Sequence, residues 1–175
     1  DPSYRGQGVL FTASHIGNVG INLEDDESPK PQASAVVIRS LSPIVSNWRS
    51  ALSLSEWLAQ HDVPGIGGVD TRWLTRKLRD DGTQKAALST KGTSPDELLR
   101  KAYAWEGLDG RDMVREVTCE EPYHWVDDKA SKRVADHRLW TMDDGKQMVN
   151  RPWSIVAYDF GIKENILRNL SSFCA

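Results

Sequence analysis

The chain has 175 residues, 39% hydrophobic and 27% charged, with a formal net charge of -3 and a pI near 5.8. That composition suits one or two globular domains and provides no clustered positive field for nucleic acid or for an anionic membrane surface. No stretch approaches the ~18 apolar residues of a membrane-spanning helix, and two cysteines are too few for a disulfide framework, so a cytosol-like compartment is expected.

The opening Asp1-Pro2-Ser3-Tyr4 has neither an initiator Met nor an apolar run of signal-peptide type, and processing for export is not expected. Gly8 to Ala13 reads as a short strand entering the glycine-containing loop His15-Ile16-Gly17-Asn18-Val19-Gly20. The acidic run Glu24 to Glu27, followed by Pro29 and Pro31, reads as exposed loop. Ala35 to Arg39 is a second strand, apolar enough to be covered on both faces. Ser53 or Ser55 is expected to cap a helix running through Trp57, Leu58 and His61, its side-chain oxygen taking up an otherwise unpaired amide.

Val63 to Val69 is predicted as a third strand diluted by glycine, and Asp70 or Thr71 as the cap of a helix ending at Gly82. Lys85 to Ser89 reads as a fourth strand, and Ser94-Pro95-Asp96-Glu97 opens a helix with proline in its first turn. From Glu106 to Pro152 the periodicity weakens into a loop-rich linker. Ser154 to Gly161 then reads as a buried strand and Ile162 to Leu170 as the helix after it. Alternating strands and helices argue an α/β fold. A lone final strand and helix cannot cover their own apolar faces, so the 175 residues are expected to be a piece of something longer.

Among candidate sites, Cys119, His124 and Asp127 carry the types a thiol hydrolase needs, but close spacing in a charged loop is a poor scaffold for catalytic geometry. Cys174, without a glycine elbow, is expected in the core. His15, His61, His124 and His137 are scattered and neither cysteine has a C-x-x-C partner, so no metal is expected. Gly65-Ile66-Gly67-Gly68 before a helix invites a phosphate-cradle reading. It lacks both standard nucleotide spacings, and tight strand-to-helix packing is the expected reason for it. Arg72, Arg76 and Arg79 line one side of their helix, while Trp73, Leu74 and Leu78 are expected to supply its apolar side. The arginines are either a solvated face or a docking surface for an acidic partner. Of seven tryptophans, Trp73 and Trp105 are expected in the core, and Trp48, Trp125 and Trp153 near turns that could mark an interface.

Four motifs in order carry a resemblance. They are His15 to Gly20; Asp70-Thr71-Arg72 with Leu74-Thr75-Arg76 and Leu78-Arg79; Asp112-Met113-Val114 with Glu116-Val117-Thr118; and Val156 to Lys163 with Asn165-Ile166-Leu167-Arg168. Together they resemble the small, glutamine-hydrolysing subunits of carbamoyl-phosphate synthase. The resemblance implies a swivelling β/β/α-type amino-terminal domain that docks on a large synthetase subunit, over residues 1–118 and without its first strands. A linker over 119–152 follows, and then the first strand and helix of a truncated class I glutamine amidotransferase domain over 153–175.

In such subunits a cysteine attacks the glutamine amide, assisted by a histidine and a glutamate, and ammonia passes to the large subunit for arginine and pyrimidine synthesis. No catalytic residue can be carried over, because the matching Cys and His-x-Glu pair would lie beyond Ala175. The Asp-Pro-Ser-Tyr motif matches Asp1 to Tyr4, which implies a glutamine contact at Ser3. The resemblance also implies that Arg72, Arg76 and Arg79 could face the large subunit. No cofactor is expected on this chain, with ATP and Mg on the partner, and the expected setting is cytoplasm, or plastid stroma in a plant or alga. The readings from other classes are a non-catalytic interaction module and a thiol hydrolase using Cys119.

Overall fold

The computed structural model describes residues 1–22, 24–126, 129–131 and 155–174, and the chain divides into two compact units, Asp1–Met113 and Val114–Ala175. The first unit is built on a parallel sheet of three very short strands, β1 (Gly8–Leu10), β2 (Ala35–Val37) and β3 (Gly65–Ile66), in that spatial order. Gly8 stands opposite Ala35, and Val36 opposite Gly65. The expected strands at 8–13, 35–39 and 63–69 are thus present but shorter, and the ladder continues as loop hydrogen bonds. Phe11 N donates to Val37 O at 3.0 Å, Ile38 N to Ile66 O at 2.9 Å and Ser34 N to Gln7 O at 2.8 Å.

Helix α1 (Leu54–Gln60) lies on this sheet, its Leu58 buried with Val36 and Ile38 and flanked by Ile16, Leu54, Trp57 and Val63. Its start is a full capping box: Glu56 N donates to Ser53 Oγ at 3.2 Å, and Ser53 N donates to Glu56 Oε2 at 2.9 Å. Bonds from the Ser53 hydroxyl and amide hold the Glu56 carboxyl below its ordinary pKa.

Helix α2 (Thr71–Asp81) starts on Asp70, whose Oδ1 accepts from Trp73 N at 3.0 Å, and ends at Gly82 with φ of 82°. Helix α3 (Pro95–Ala104) starts on Ser94, which caps Glu97 N at 3.3 Å. Each of these three starts rests on a short polar side chain that the sequence makes visible.

The expected fourth strand, Lys85–Ser89, is not a strand. It forms no ladder with any described segment, and its polar end is tied locally, Ser89 Oγ to Thr93 Oγ1 at 2.8 Å. Trp73 is 60% exposed rather than in the core. At about 100° per residue it stands a full step from Leu74 and further from Leu78, so the helix turns it outward. Trp105 is half-buried, and Trp48 is 92% exposed beside Arg49.

The second unit contains α4 (Met113–Val117) at its junction with the first, an antiparallel pair β4 (His124–Val126) and β5 (Lys129–Ser131), and α5 (Glu164–Cys174). Local order therefore exists inside the segment read as linker. The expected strand at 154–161 is extended chain without a ladder over its described part, with Val156 70% and Tyr158 85% exposed. A strand reading needs partners, and none is present among the described residues. Asp127, His137 and Trp153 lie outside the described residues.

The loops following β1 and β2 interlock. Ile21 N donates to Leu52 O at 2.8 Å, Ser46 N to Asn18 O at 2.8 Å and Ser42 N to Ile16 O at 2.8 Å. Gly20 sits at the crossing with φ of +66°, and a Cβ there would meet Ser50 Oγ and, at 2.8 Å, the Leu52 carbonyl oxygen. Left-handed strain and a backbone clash add, so Gly20→Ala should lower unfolding free energy by roughly 1–3 kcal/mol. Urea denaturation would show a reduced midpoint, and an unchanged midpoint would mean that the loops are not locked together.

Candidate functional site

The amino-terminal turn is organised by one carboxylate. Asp1 caps a short 3-10 turn, Pro2–Tyr4, its Oδ1 accepting from Ser3 N at 3.0 Å and from Ser3 Oγ at 2.6 Å. Pro2 is buried, Ser3 is exposed, and Gln7 Nε2 donates to Ser3 O at 3.1 Å. With its proton directed at Asp1, the Ser3 hydroxyl presents lone pairs outward. The turn therefore offers an acceptor beside a negative charge, an arrangement suited to an incoming N–H donor.

Arg72, Arg76 and Arg79 are all exposed on α2. Arg79 Nε bonds the neighbouring Asp80 Oδ1 at 3.0 Å, and Lys77 Nζ bonds Asp81 Oδ2 at 2.6 Å, which raises the Lys77 pKa. Arg72 and Arg76 have no such carboxylate among the described residues.

The phosphate-cradle reading of the glycine run 65–68 loses amides to the neighbouring chain, since Gly68 N donates to Arg39 O at 2.9 Å and, just past the run, Val69 N to Ile38 O at 3.4 Å. The expected tight packing does not explain these glycines either: a Cβ on Gly65 would lie at an ordinary 3.6 Å from Leu58 and one on Gly67 at 3.8 Å from Ile38, whereas Gly68 has open space around it and is required by its φ of +78°. A groove of about 930 Å³ runs between α1, β3 and residues 88–91, floored by Leu54, Leu58 and Ile66. None of Ser3, Arg72, Arg76 and Arg79 lines it.

Cys119 does not face His124. Its sulfur lies 3.8 Å from the Asp159 carbonyl oxygen, while His124 sits on β4 opposite Ser131. No thiolate–imidazole pair forms there. Among the described residues no group of three His, Cys, Asp or Glu side chains is placed to hold a metal.

What the sequence reading missed is the hub beside Cys119. Asp159 Oδ1 accepts from Gly161 N and Ile162 N, both at 2.8 Å, shaping the turn into α5, and its Oδ2 accepts from Tyr123 Oη at 2.7 Å. An Asp two residues before a Gly is a local turn signal, whereas the Tyr123 partner lies 36 residues away and leaves none.

Burial first, then the bond and charge of Asp159, and then Cys119 and Glu164, raise the Tyr123 pKa well above its ordinary value. Unfolded tyrosine ionises near pH ~10, while folded Tyr123 keeps its proton, so this group's stabilising effect is full below pH ~10 and declines as pH rises beyond it. Tyr123→Phe should cost roughly 1–2 kcal/mol at neutral pH and flatten the alkaline decline. Equal slopes for both proteins in unfolding titrations from pH 8 to 11 would dismiss the clasp.

The family description "Carbamoyl-phosphate synthase small chain, CPSase domain" matches residues 1–88. The chain belongs to this family. It is 44% identical over 172 residues to the carbamoyl phosphate synthase small chain of Syntrophotalea carbinolica, covering 97% of this chain and 43% of that protein. It is 43% identical over 175 residues to the chloroplastic small chain of Arabidopsis thaliana, covering 99% of this chain and 38% of that one. The small chain of Pectobacterium atrosepticum is 44% identical over 176 residues, with 97% and 43% covered. The chain thus spans about two fifths of the length of these relatives. Among the described residues no helix is long and apolar enough to cross a membrane.

Proposed function

We propose that this chain is part of a glutamine-hydrolysing small subunit that supplies ammonia to a large synthetase subunit. There the ammonia meets ATP-activated bicarbonate and yields carbamoyl phosphate for arginine and pyrimidine synthesis. The observation that carries this is near-complete coverage of the chain, at 42–44% identity, by proteins named as carbamoyl phosphate synthase small chains. ATP and Mg belong to the partner in this reading, and glutamine is the substrate of the small subunit.

In the same reading, residues 1–118 form the swivelling docking domain and 153–175 open the amidotransferase domain. The exposed apolar side chains of Val156, Tyr158 and Phe160 support this, since such a run calls for neighbouring strands to cover it. Ser3 contributes one edge of the glutamine pocket, consistent with its exposed hydroxyl oxygen. The exposed face of α2 that carries Arg72 and Arg76 docks on the large subunit, whereas Arg79, expected on that face, is already paired with Asp80. The nucleophilic cysteine and its histidine and glutamate come from outside this chain.

Two measurements test the reading. The 175-residue chain alone should release no ammonia from glutamine. Turnover abolished by Cys119→Ser would overturn the assignment in favour of a thiol hydrolase. In the full-length small subunit, Ser3→Ala should weaken glutamine binding by roughly 0.5–1.5 kcal/mol, the range of one neutral hydrogen bond. Ammonia-dependent synthesis by the assembled enzyme should be unchanged, and unaltered glutamine kinetics would remove Ser3 from the pocket.

A further inference from the structure

The exposed arc of α2 holds more than arginines. At about 100° per residue, Arg72, Arg76, Asp80 and Trp73 follow one another within an arc of about 100°, opposite the buried Thr71 and the half-buried Leu74 and Leu78. Trp73 is 60% exposed and directly adjoins Arg76 on this surface, three residues along the helix.

The charges on the helix are not equivalent. Lys77 is neutralised by Asp81 and Arg79 by Asp80, whereas Arg72 and Arg76, one turn apart and mutually repelling, have no carboxylate of their own among the described residues. The uncompensated positive charge of α2 is thereby concentrated on two residues of the exposed arc that also carries the indole, Arg76 adjoining it and Arg72 at the arc's far edge, on a chain whose net charge is -3. Tryptophan and arginine are the residue types that most often dominate binding energy, and a guanidinium fork bonds carboxylates in pairs.

We propose that Arg72, Trp73 and Arg76 form one docking site for an acidic patch on the large synthetase subunit. The indole seats in an apolar recess and the two guanidiniums pair with the carboxylates that border it. Arg79, already paired, lies outside the site. This rests on the small-subunit reading and narrows the docking face to three side chains.

The test uses full-length small subunit titrated with large subunit, with melting temperature as the folding control. Trp73→Ala should weaken association about 30-fold or more, the scale of a buried tryptophan anchor. Arg76→Glu should do at least as much, with a larger effect at low salt, where charge attraction is least screened. Trp73→Phe should keep much of the affinity, and Arg79→Glu should stay within about threefold of wild type. If wild-type subunits neither associate nor make carbamoyl phosphate from glutamine, the small-subunit reading fails. If they do, and Trp73→Ala binds within about threefold of wild type or Arg79→Glu is as damaging as Arg76→Glu, the docking site fails while that reading stands. Loss of self-association by free small subunit on Trp73→Ala, with large-subunit affinity unchanged, would assign the site to a second copy and overturn the proposal.

Discussion

The first unit depends on the backbone of β2. Its side chains supply little core: Val36 and, just beyond the strand, Ile38 are buried with Leu58, and side chains of this size contribute roughly 1.5–3 kcal/mol each when fully buried. Strands of two or three residues cannot hold a sheet by themselves. The β2 segment therefore carries its pairing past both ends. Residues 34–39 bond Gln7, Phe11, Ile66 and Gly68, and Ser40 to Ser46 then bond the loop after β1. The loops cross at Gly20 through isolated bridges, Ile16 with Leu41 and Ile21 with Leu52, and Gly20 is closely constrained there because a Cβ would meet the Leu52 carbonyl oxygen just ahead of the α1 cap.

The second unit relies on a carboxylate instead. Asp159 uses one oxygen for two successive amides and the other for a phenol, joining the loop before β4 to the turn entering α5. Apolar packing is weak here, with Leu167 its one buried hydrophobic side chain among the described residues, so a charge-assisted network has an outsized share in defining the geometry. The amino-terminal turn repeats the device on a smaller scale, Asp1 holding both the amide and the hydroxyl of Ser3.

Local chemistry was legible in the sequence. Ser53, Asp70 and Ser94 start their helices as short oxygen-bearing side chains do, and Gly82 ends α2. The strands were legible as apolar runs but not in extent, since a ladder exists only where a partner does, and both Lys85–Ser89 and residues 155–159 lack one among the described residues. Trp73 departs from its expected core position because its angle on the helix, and not its hydrophobicity, sets its exposure. At the candidate site, Ser3 is singled out by a family motif alone, while the bond that sets its proton is a contact two residues long that the sequence permits without requiring. The Tyr123–Asp159 pair was invisible for the opposite reason, its members being distant and individually ordinary.

The extended run around Tyr158 and Phe160, whose rings stack 6.3 Å apart, also bears on biosynthesis. Ile155, Val156, Tyr158 and Phe160 are exposed, with no proline among residues 155–160 and a single charge, Asp159. Chain without a ladder among the described residues, beside aromatic and β-branched side chains, is a template for pairing with another chain. In a nascent polypeptide such a run is the kind of segment that holdase chaperones shield, and the Asp159 charge is what interrupts its apolar character.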